Sequence, residues 1–175
     1  IRDRPLFLLA GCASAGGSQS RDLDLKELCT EEQVFQYADF EWGTDSEQLF
    51  KQSSLKFDEK DLGQGDESST KTYESKEKFS LENAESNMDL EFSDGQLSQV
   101  SFTFDIEQDA NTWIQKEVDE LNSLYGGGIA TGLGNQIYQW QGEQDTVLQL
   151  TAFTEGDESA TVILSVASME YSIGS

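Results

Sequence analysis

The sequence predicts an α+β fold in which an antiparallel sheet of about six strands carries its helices on one face. Apolar residues recur at helical spacing over residues 109–125, and they alternate with polar residues in several shorter segments on both sides. The predicted order is helix, about three strands, helix, three strands. This is the order of two tandem α-β-β-β units, and we expect it to occupy residues 21–175 as a single domain.

The first predicted helix begins at Thr44. Its hydroxyl can accept a hydrogen bond from a free backbone N–H while Glu47 reaches back to the Thr44 amide, and the apolar pattern ends near residues 53–54. Upstream, the leucines of residues 21–29 favour a short helix. Downstream, residues 56–72 are rich in acidic, lysine, glycine and serine residues and predict a loop.

Polar strands anchored by Tyr73 and Phe79 follow, and then a hairpin turns at Asp94-Gly95, a strong signal for a two-residue turn. Leu97 and Val100 have opposite parity on the second strand of this hairpin. Both can face the core only if the strand contains an extra residue, so the sequence predicts a bulge near Ser98 and Gln99.

The strongest helix signal covers residues 109–125, where the apolar positions 114, 118, 121 and 125 form one stripe and a glycine run ends the pattern. Its stripe is predicted to cover same-parity apolar residues of three strands. Three alternating segments follow and predict an antiparallel meander: residues 136–140, 146–153 and 160–171.

The N-terminus carries charged residues, a short apolar run and a cysteine, followed by a tether rich in glycine and serine. The run is shorter than the apolar part of an export signal, which a missing upstream end would explain. Leu9-Ala10-Gly11-Cys12 resembles the lipobox of bacterial lipoproteins, in which a diacylglyceryl group is attached to the cysteine and the preceding segment is removed. The resemblance implies a signal-peptide remnant at 1–11 and a lipidated Cys12 with a tether at 12–20.

The element order and the Trp42-Gly43 entry to the first helix are also similar to small bacterial lipoproteins whose fold is like that of β-lactamase inhibitor protein. This resemblance implies a binding or inhibitory module. It carries no set of binding residues onto the chain.

Composition excludes several functions. The net charge is −23, and loss of the residues before Cys12 would make it −24, so phosphate-rich nucleic acids and anionic lipid head groups would be repelled. The chain has no histidine, which removes Ser-His and Cys-His catalysis and imidazole metal ligation. With Cys12 lipidated, Cys29 is either an inert, partly buried thiol or a site of intermolecular pairing.

Two motifs leave alternatives open. Asp105, Glu107 and Asp109 have the spacing of the first calcium-loop ligands, but Ala110 and Lys116 stand where such a loop needs glycine and glutamate. They form either a weak calcium site or an acidic helix start. The glycines of 126–134 follow a helix instead of preceding one, which predicts a helix end and connector, not a phosphate site.

One strand face is the candidate binding surface, because its residues are uncharged in a very acidic chain and are therefore easier to desolvate. It comprises Gln99, Ser101, Thr103, Gln149, Thr151, Thr161 and Ser165. The alternative is an ordinary solvated sheet face. Tyr138 and Trp140, on one face of their strand, are a second candidate contact site.

We therefore expect a lipid-anchored module on the extracytoplasmic side of a bacterial membrane, which binds a protein, peptide or small solute. We expect no catalysis and no cofactor or metal. A carboxylate-dependent hydrolase of the cell envelope and a structural accessory of an envelope complex are the alternatives. A cleft with two converging carboxylates would favour the hydrolase, and an open uncharged sheet face would favour binding.

Overall fold

The computed structural model describes residues 20–61, 69–131, 136–156 and 158–172. These residues form an α+β fold around one mostly antiparallel sheet, as the sequence predicts. The sheet has nine strands in the described residues, three more than expected. The lipobox and most of the tether lie outside the described residues.

The strands run along the chain in two groups separated by a long helix, and the sheet order is β1-β3-β4-β5-β9-β8-β7-β6, with β2 also on β3. Among the strands of the described residues, only β1 pairs in parallel. The strands are β1 (Arg21–Asp22), β2 (Phe57–Glu59), β3 (Thr70–Leu81), β4 (Ala84–Ser93), β5 (Gln96–Ile106), β6 (Ile129–Thr131), β7 (Gln136–Gln141), β8 (Thr146–Glu155) and β9 (Ser159–Ser168). The helices are α1 (Ser46–Gln52), α2 (Ala110–Tyr125) and α3 (Met169–Ser172).

The three additional strands are short and lie in segments without a strand signal. The predicted helix over residues 21–29 is wrong in part, since β1 is extended and only Leu25–Leu28 form a 3-10 turn, capped by Asp24. β2 lies in the predicted loop, where the ring of Phe57 stacks on that of Phe50 at 5.1 Å. β6 lies in the predicted glycine-rich connector and pairs with β7.

The predicted hairpin is confirmed, including its bulge. Asp94 and Gly95 both have positive φ, 50° and 79°, as a two-residue hairpin turn requires. Glu91 pairs with Gln99 and the next residue, Phe92, pairs with Leu97, so Ser98 is the extra residue. Its buried hydroxyl donates to the Glu91 carbonyl oxygen at 3.1 Å.

Helix α1 begins one residue later than predicted, because Asp45 and not Thr44 is the cap. The Asp45 carboxylate accepts from the backbone N–H of Gln48 at 2.9 Å. A carboxylate at this position satisfies a free N–H and favourably meets the positive end of the helix. The helix ends at Gln52, next to the predicted end.

The hydrophobic core lies on one face of the sheet, which we call the inner face. Leu49 of α1 and the stripe of α2 join the same buried cluster as the inward residues of the strands, so both helices cover this face. As predicted, the glycine run ends α2: its last residue is Tyr125, and Gly126 is the C-cap. The buried cluster contains both the α2 stripe and the strand residues that the sequence predicts beneath it: Ile114, Val118, Leu121, Val100, Phe102, Phe104, Leu148, Leu150, Val162 and Leu164.

The last predicted strand was too long. β9 ends at Ser168, and Met169 starts the helical turn α3 with its N–H donating to the Asp145 carbonyl oxygen at 2.9 Å. α3 returns the chain towards the first half of the sheet. There the ring of Tyr171 packs closely over Gly43, where even a Cβ atom would approach it to 2.7 Å.

Candidate functional site

On the face of the sheet opposite the core, which we call the outer face, two adjacent rows of residues are uncharged across five neighbouring strands. The cross-strand register gives two rows. The first row contains Ser101, Ser165, Gln149, Gln139 and Ile129, and the second contains Thr103, Ile163, Thr151, Ile137 and Thr131. Both rows run from β5 across β9, β8 and β7 to the edge strand β6.

The uncharged surface ends sharply between β5 and β4. Asp89 of β4 pairs with Ser101, and Glu91 pairs with Gln99, so the first two carboxylates stand directly beside the rows. Burial raises the pKa of both carboxyl groups, and the Glu74 carboxylate adds to the rise at Asp89. The two uncharged rows are therefore bordered by the carboxylates of β4, and Asp105 of β5 and Glu155 of β8 lie on the same face beyond the second row.

Lys60 joins two of the acidic side chains. Its Nζ lies 3.0 Å from a carboxylate oxygen of Glu74 and 3.0 Å from one of Asp89. The positive charge partly opposes the effect of burial on the pKa of Asp89. Two converging carboxylates and a raised pKa are features of hydrolases, but this pair is bridged by an ammonium group on a sheet surface.

The predicted face residues lie together on the outer face. Gln99, Ser101 and Gln149 are half-buried and Thr103 is exposed. Thr151 is only 8% exposed, and its hydroxyl accepts a hydrogen bond from the Gln149 side-chain amide at 2.8 Å. Thr161 also belongs to this face, where its hydroxyl donates to the Asp105 carboxylate at 2.9 Å.

Tyr138 and Trp140 lie on the inner face, away from the other candidates. Trp140 is 3% exposed, and its indole N–H donates to the Gly126 carbonyl oxygen at 3.0 Å. This bond helps to hold the C-terminus of α2 against β7. Tyr138 is half-buried against the core. The candidate role of Trp140 as an exposed contact residue is therefore wrong, because its ring is buried in the core.

Sequence reasoning missed several apolar residues of the outer face, among them Ile129, Ile137, Ile163 and Phe153. Alternation would have found Ile163, which has the parity of Thr161 and Ser165 on β9. Ile137 and Ile129 could not be assigned, because the face of β7 depends on the length of its turn to β8. They make the outer face more apolar than the threonines and glutamines alone suggest.

The acidic motifs form no metal site in the part of the chain that the structure describes, where no group of three or more potential ligands comes together. Asp105 accepts from Thr161, and Asp109 begins α2 with a φ of 52°. Of the acidic residues in the 58–67 segment, Asp58 pairs with Lys76 at 2.8 Å, and residues 62–68 lie outside the described ranges. Cys29 is a half-buried free thiol whose pKa is raised by burial.

A surface cavity of about 340 Å³ lies between α1 and the segment before it. Arg21, Asp39 and Glu41 stand at its polar side, and Phe40, Leu49 and Leu55 line its apolar side. This volume can hold a small solute. The acidic pair Glu74 and Asp89 does not line it, so the cavity and the converging carboxylates are separate features.

A buried carboxyl group was not expected from the sequence. Glu117 of α2 is 1% exposed, and neither of its oxygens has a hydrogen-bond partner among the described residues. Burial, with smaller contributions from the nearby carboxylates of Glu120 and Glu82, raises its pKa to about 7, while Lys116 acts in the opposite direction. Position 117 lies on the core side of α2, three residues after Ile114 and four before Leu121.

None of the described helices is long and apolar enough to cross a membrane. The geometry leaves the uncharged outer face as the largest candidate site, with the cavity beside α1 as a smaller one. Comparisons with protein-family models, curated proteins and solved structures give no significant match to this chain.

Proposed function

We propose that this protein is a non-catalytic interaction module, anchored by a lipid on Cys12 to the extracytoplasmic side of a bacterial membrane. One observation supports binding above all: the outer face of β5, β9, β8 and β7 has no charged residue in the two rows described above, in a chain of net charge −23. A partner protein can cover such a face without desolvating carboxylates.

The same geometry favours binding over the alternative of a carboxylate hydrolase. The converging carboxylates Glu74 and Asp89 are bridged by Lys60 and do not line the cavity beside α1. The Lys60 ammonium group stabilises the ionised form of Asp89 and so opposes the protonation that a general acid requires. The resemblance to small lipoproteins with a fold like β-lactamase inhibitor protein stays a prediction, and it agrees with a binding role.

The anchor has its own test. When the chain is expressed in a bacterium with a complete export signal, we expect it to partition into the detergent phase, because a diacylglyceryl group adds about 0.8 kcal/mol for each buried CH₂. Cys12→Ser removes the thiol that would carry the lipid and should move the protein to the aqueous phase. Cys29→Ser is the matched control and should leave the partitioning unchanged. Equal partitioning of Cys12→Ser and wild type would contradict the anchor.

The binding face is tested with a charge on one of its exposed residues. Thr103 is exposed, so Thr103→Lys should leave the fold intact, whereas a lysine at the buried Thr151 would disturb it. The measurement is a pull-down from envelope extract. We expect Thr103→Lys to fail to capture proteins that the wild type captures, because the partner would have to bury an unpaired charge.

Thr112→Lys, at an exposed position of α2, is the control and should capture the same proteins as the wild type. Thermal melting of all three proteins shows that the fold is retained. Identical capture by Thr103→Lys and wild type would place the interaction elsewhere on the molecule, with the cavity beside α1 as the next candidate.

A further inference from the structure

The two edges of the sheet are built differently. At one edge, β1 and β2 pair with different parts of β3. They are only two and three residues long. They carry charges, and the ion pairs of Lys76 with Asp58 at 2.8 Å and of Lys71 with Glu59 at 3.2 Å cover this edge. Short charged strands are the usual protection of a sheet edge against pairing with another chain.

At the other edge, β6 is also only three residues long, but its described residues carry no charge. β6 pairs with β7 on one side and is the last strand in the sheet order. All three of its residues are exposed, and Ile129 is 61% exposed. No residue from 126 to 142 is charged or a proline, although about one residue in four of the whole chain is charged.

The uncharged edge continues into the outer face. Ile129 pairs with Gln139, which pairs with Gln149. Ile129 and Thr131 therefore point to the outer face and Ala130 to the inner one. A strand added beside β6 would extend both uncharged rows without a break.

We propose that β6 pairs in antiparallel fashion with β6 of a second copy of this chain, forming a two-fold symmetric dimer with a continuous sheet. Two identical strands can pair in this way around Ala130, so that Ile129 of each copy faces Thr131 of the other. Antiparallel self-pairing needs only the main-chain groups and small or apolar side chains that this edge has.

The distribution of charge favours a second copy over a foreign partner. Two chains of net charge −23 repel each other, so they can approach closely only through an uncharged surface. A cationic partner would gain from meeting carboxylates, and residues 126–142 contain none. The uncharged edge is therefore the part of the surface at which like copies meet at the lowest electrostatic cost.

The test is the sedimentation of the full 175-residue chain at several concentrations. Salt screens the repulsion between charges farther apart than about 10 Å at roughly 0.1 M and about 3 Å at roughly 1 M, so we expect dimer formation to increase from low salt to about 0.5 M NaCl. The species at high salt should have twice the mass of one chain. A wild-type chain that stays monomeric at high salt and high concentration overturns the proposal and leaves the edge to a strand from another protein.

Two variants show whether β6 is the interface. The double substitution Ile129→Glu with Thr131→Glu would place four carboxylates around the two-fold axis, and we expect it to abolish the dimer. Both positions are exposed, so the variant should melt like the wild type. Phe153→Glu, at an exposed position in the middle of the sheet, is the control and should still dimerise. Dimerisation of the double variant as strong as that of the wild type also overturns the proposal.

Discussion

Replacing Val118 by aspartate is expected to lower the free energy of unfolding by about 3 to 5 kcal/mol. Val118 is 4% exposed and lies between Ile114 and Leu121 in the stripe with which α2 covers the sheet. An aspartate there would be buried without a cation to pair with. Because a domain is stable by only about 5 to 15 kcal/mol, the variant should be close to unfolding at room temperature.

Urea unfolding followed by tryptophan fluorescence measures this effect. Ser123→Asp is the matched control, since it adds the same charge to an exposed position of the same helix and should change the free energy of unfolding by less than about 0.5 kcal/mol. If Val118→Asp unfolds at the same urea concentration as this control, α2 does not cover the sheet as described.

The second large effect concerns Glu117 and depends on pH. The pKa of this carboxyl is raised from 4.5 to about 7 in the folded protein, so the folded state favours the protonated form. Its contribution to stability is therefore fully present below about pH 4.5 and is lost as the pH rises through 7. Between pH 5 and pH 8 this loss amounts to about 2 to 3 kcal/mol for the single group.

Glu117→Gln removes this titrating group. From pH 5 to pH 8, the free energy of unfolding of the wild type should therefore fall by about 2 to 3 kcal/mol relative to that of the variant. Glu120→Gln is the control. It removes a neighbouring charge that raises the pKa of Glu117 and should alter the wild-type curve only slightly. A difference between Glu117→Gln and wild type that is independent of pH would show that Glu117 reaches solvent.

Much of the fold could be predicted because local signals were strong. The Asp94-Gly95 turn, the bulge at Ser98 and the stripe of α2 all follow from residues close together in sequence. The edge strands could not be predicted in this way. β1 and β2 are too short to show alternation and exist because β3 is long enough to pair with both.

The candidate site was only partly predictable for a related reason. Alternation shows which residues of one strand share a face, and this placed Gln99, Ser101 and Thr103 together. It does not show which face of a strand meets the core when a turn of uncertain length precedes it. Tyr138 and Trp140 share a face as expected, but the register between β7 and β8 turns that face inward.

Glu117 could have been recognised from the helical repeat, since it stands on the apolar side of α2. The chain has 34 acidic residues, and residue type alone does not distinguish the buried one from the others. In so acidic a chain, the position of a carboxylate on its helix predicts whether it is buried better than the residue type does.

The pairing of β5 with β9 at the middle of the sheet has a consequence for how the chain folds. β3, β4 and β5 are joined by short turns, as are β7, β8 and β9, so each group can assemble from neighbouring residues. In the central pair, Ile106 lies opposite Ala160 and Gln99 lies opposite Ala167. The chain between these two strands contains α2, β6, β7 and β8. Closing so long a loop lowers chain entropy before any contact compensates, so this junction is expected to form late and to limit the folding rate.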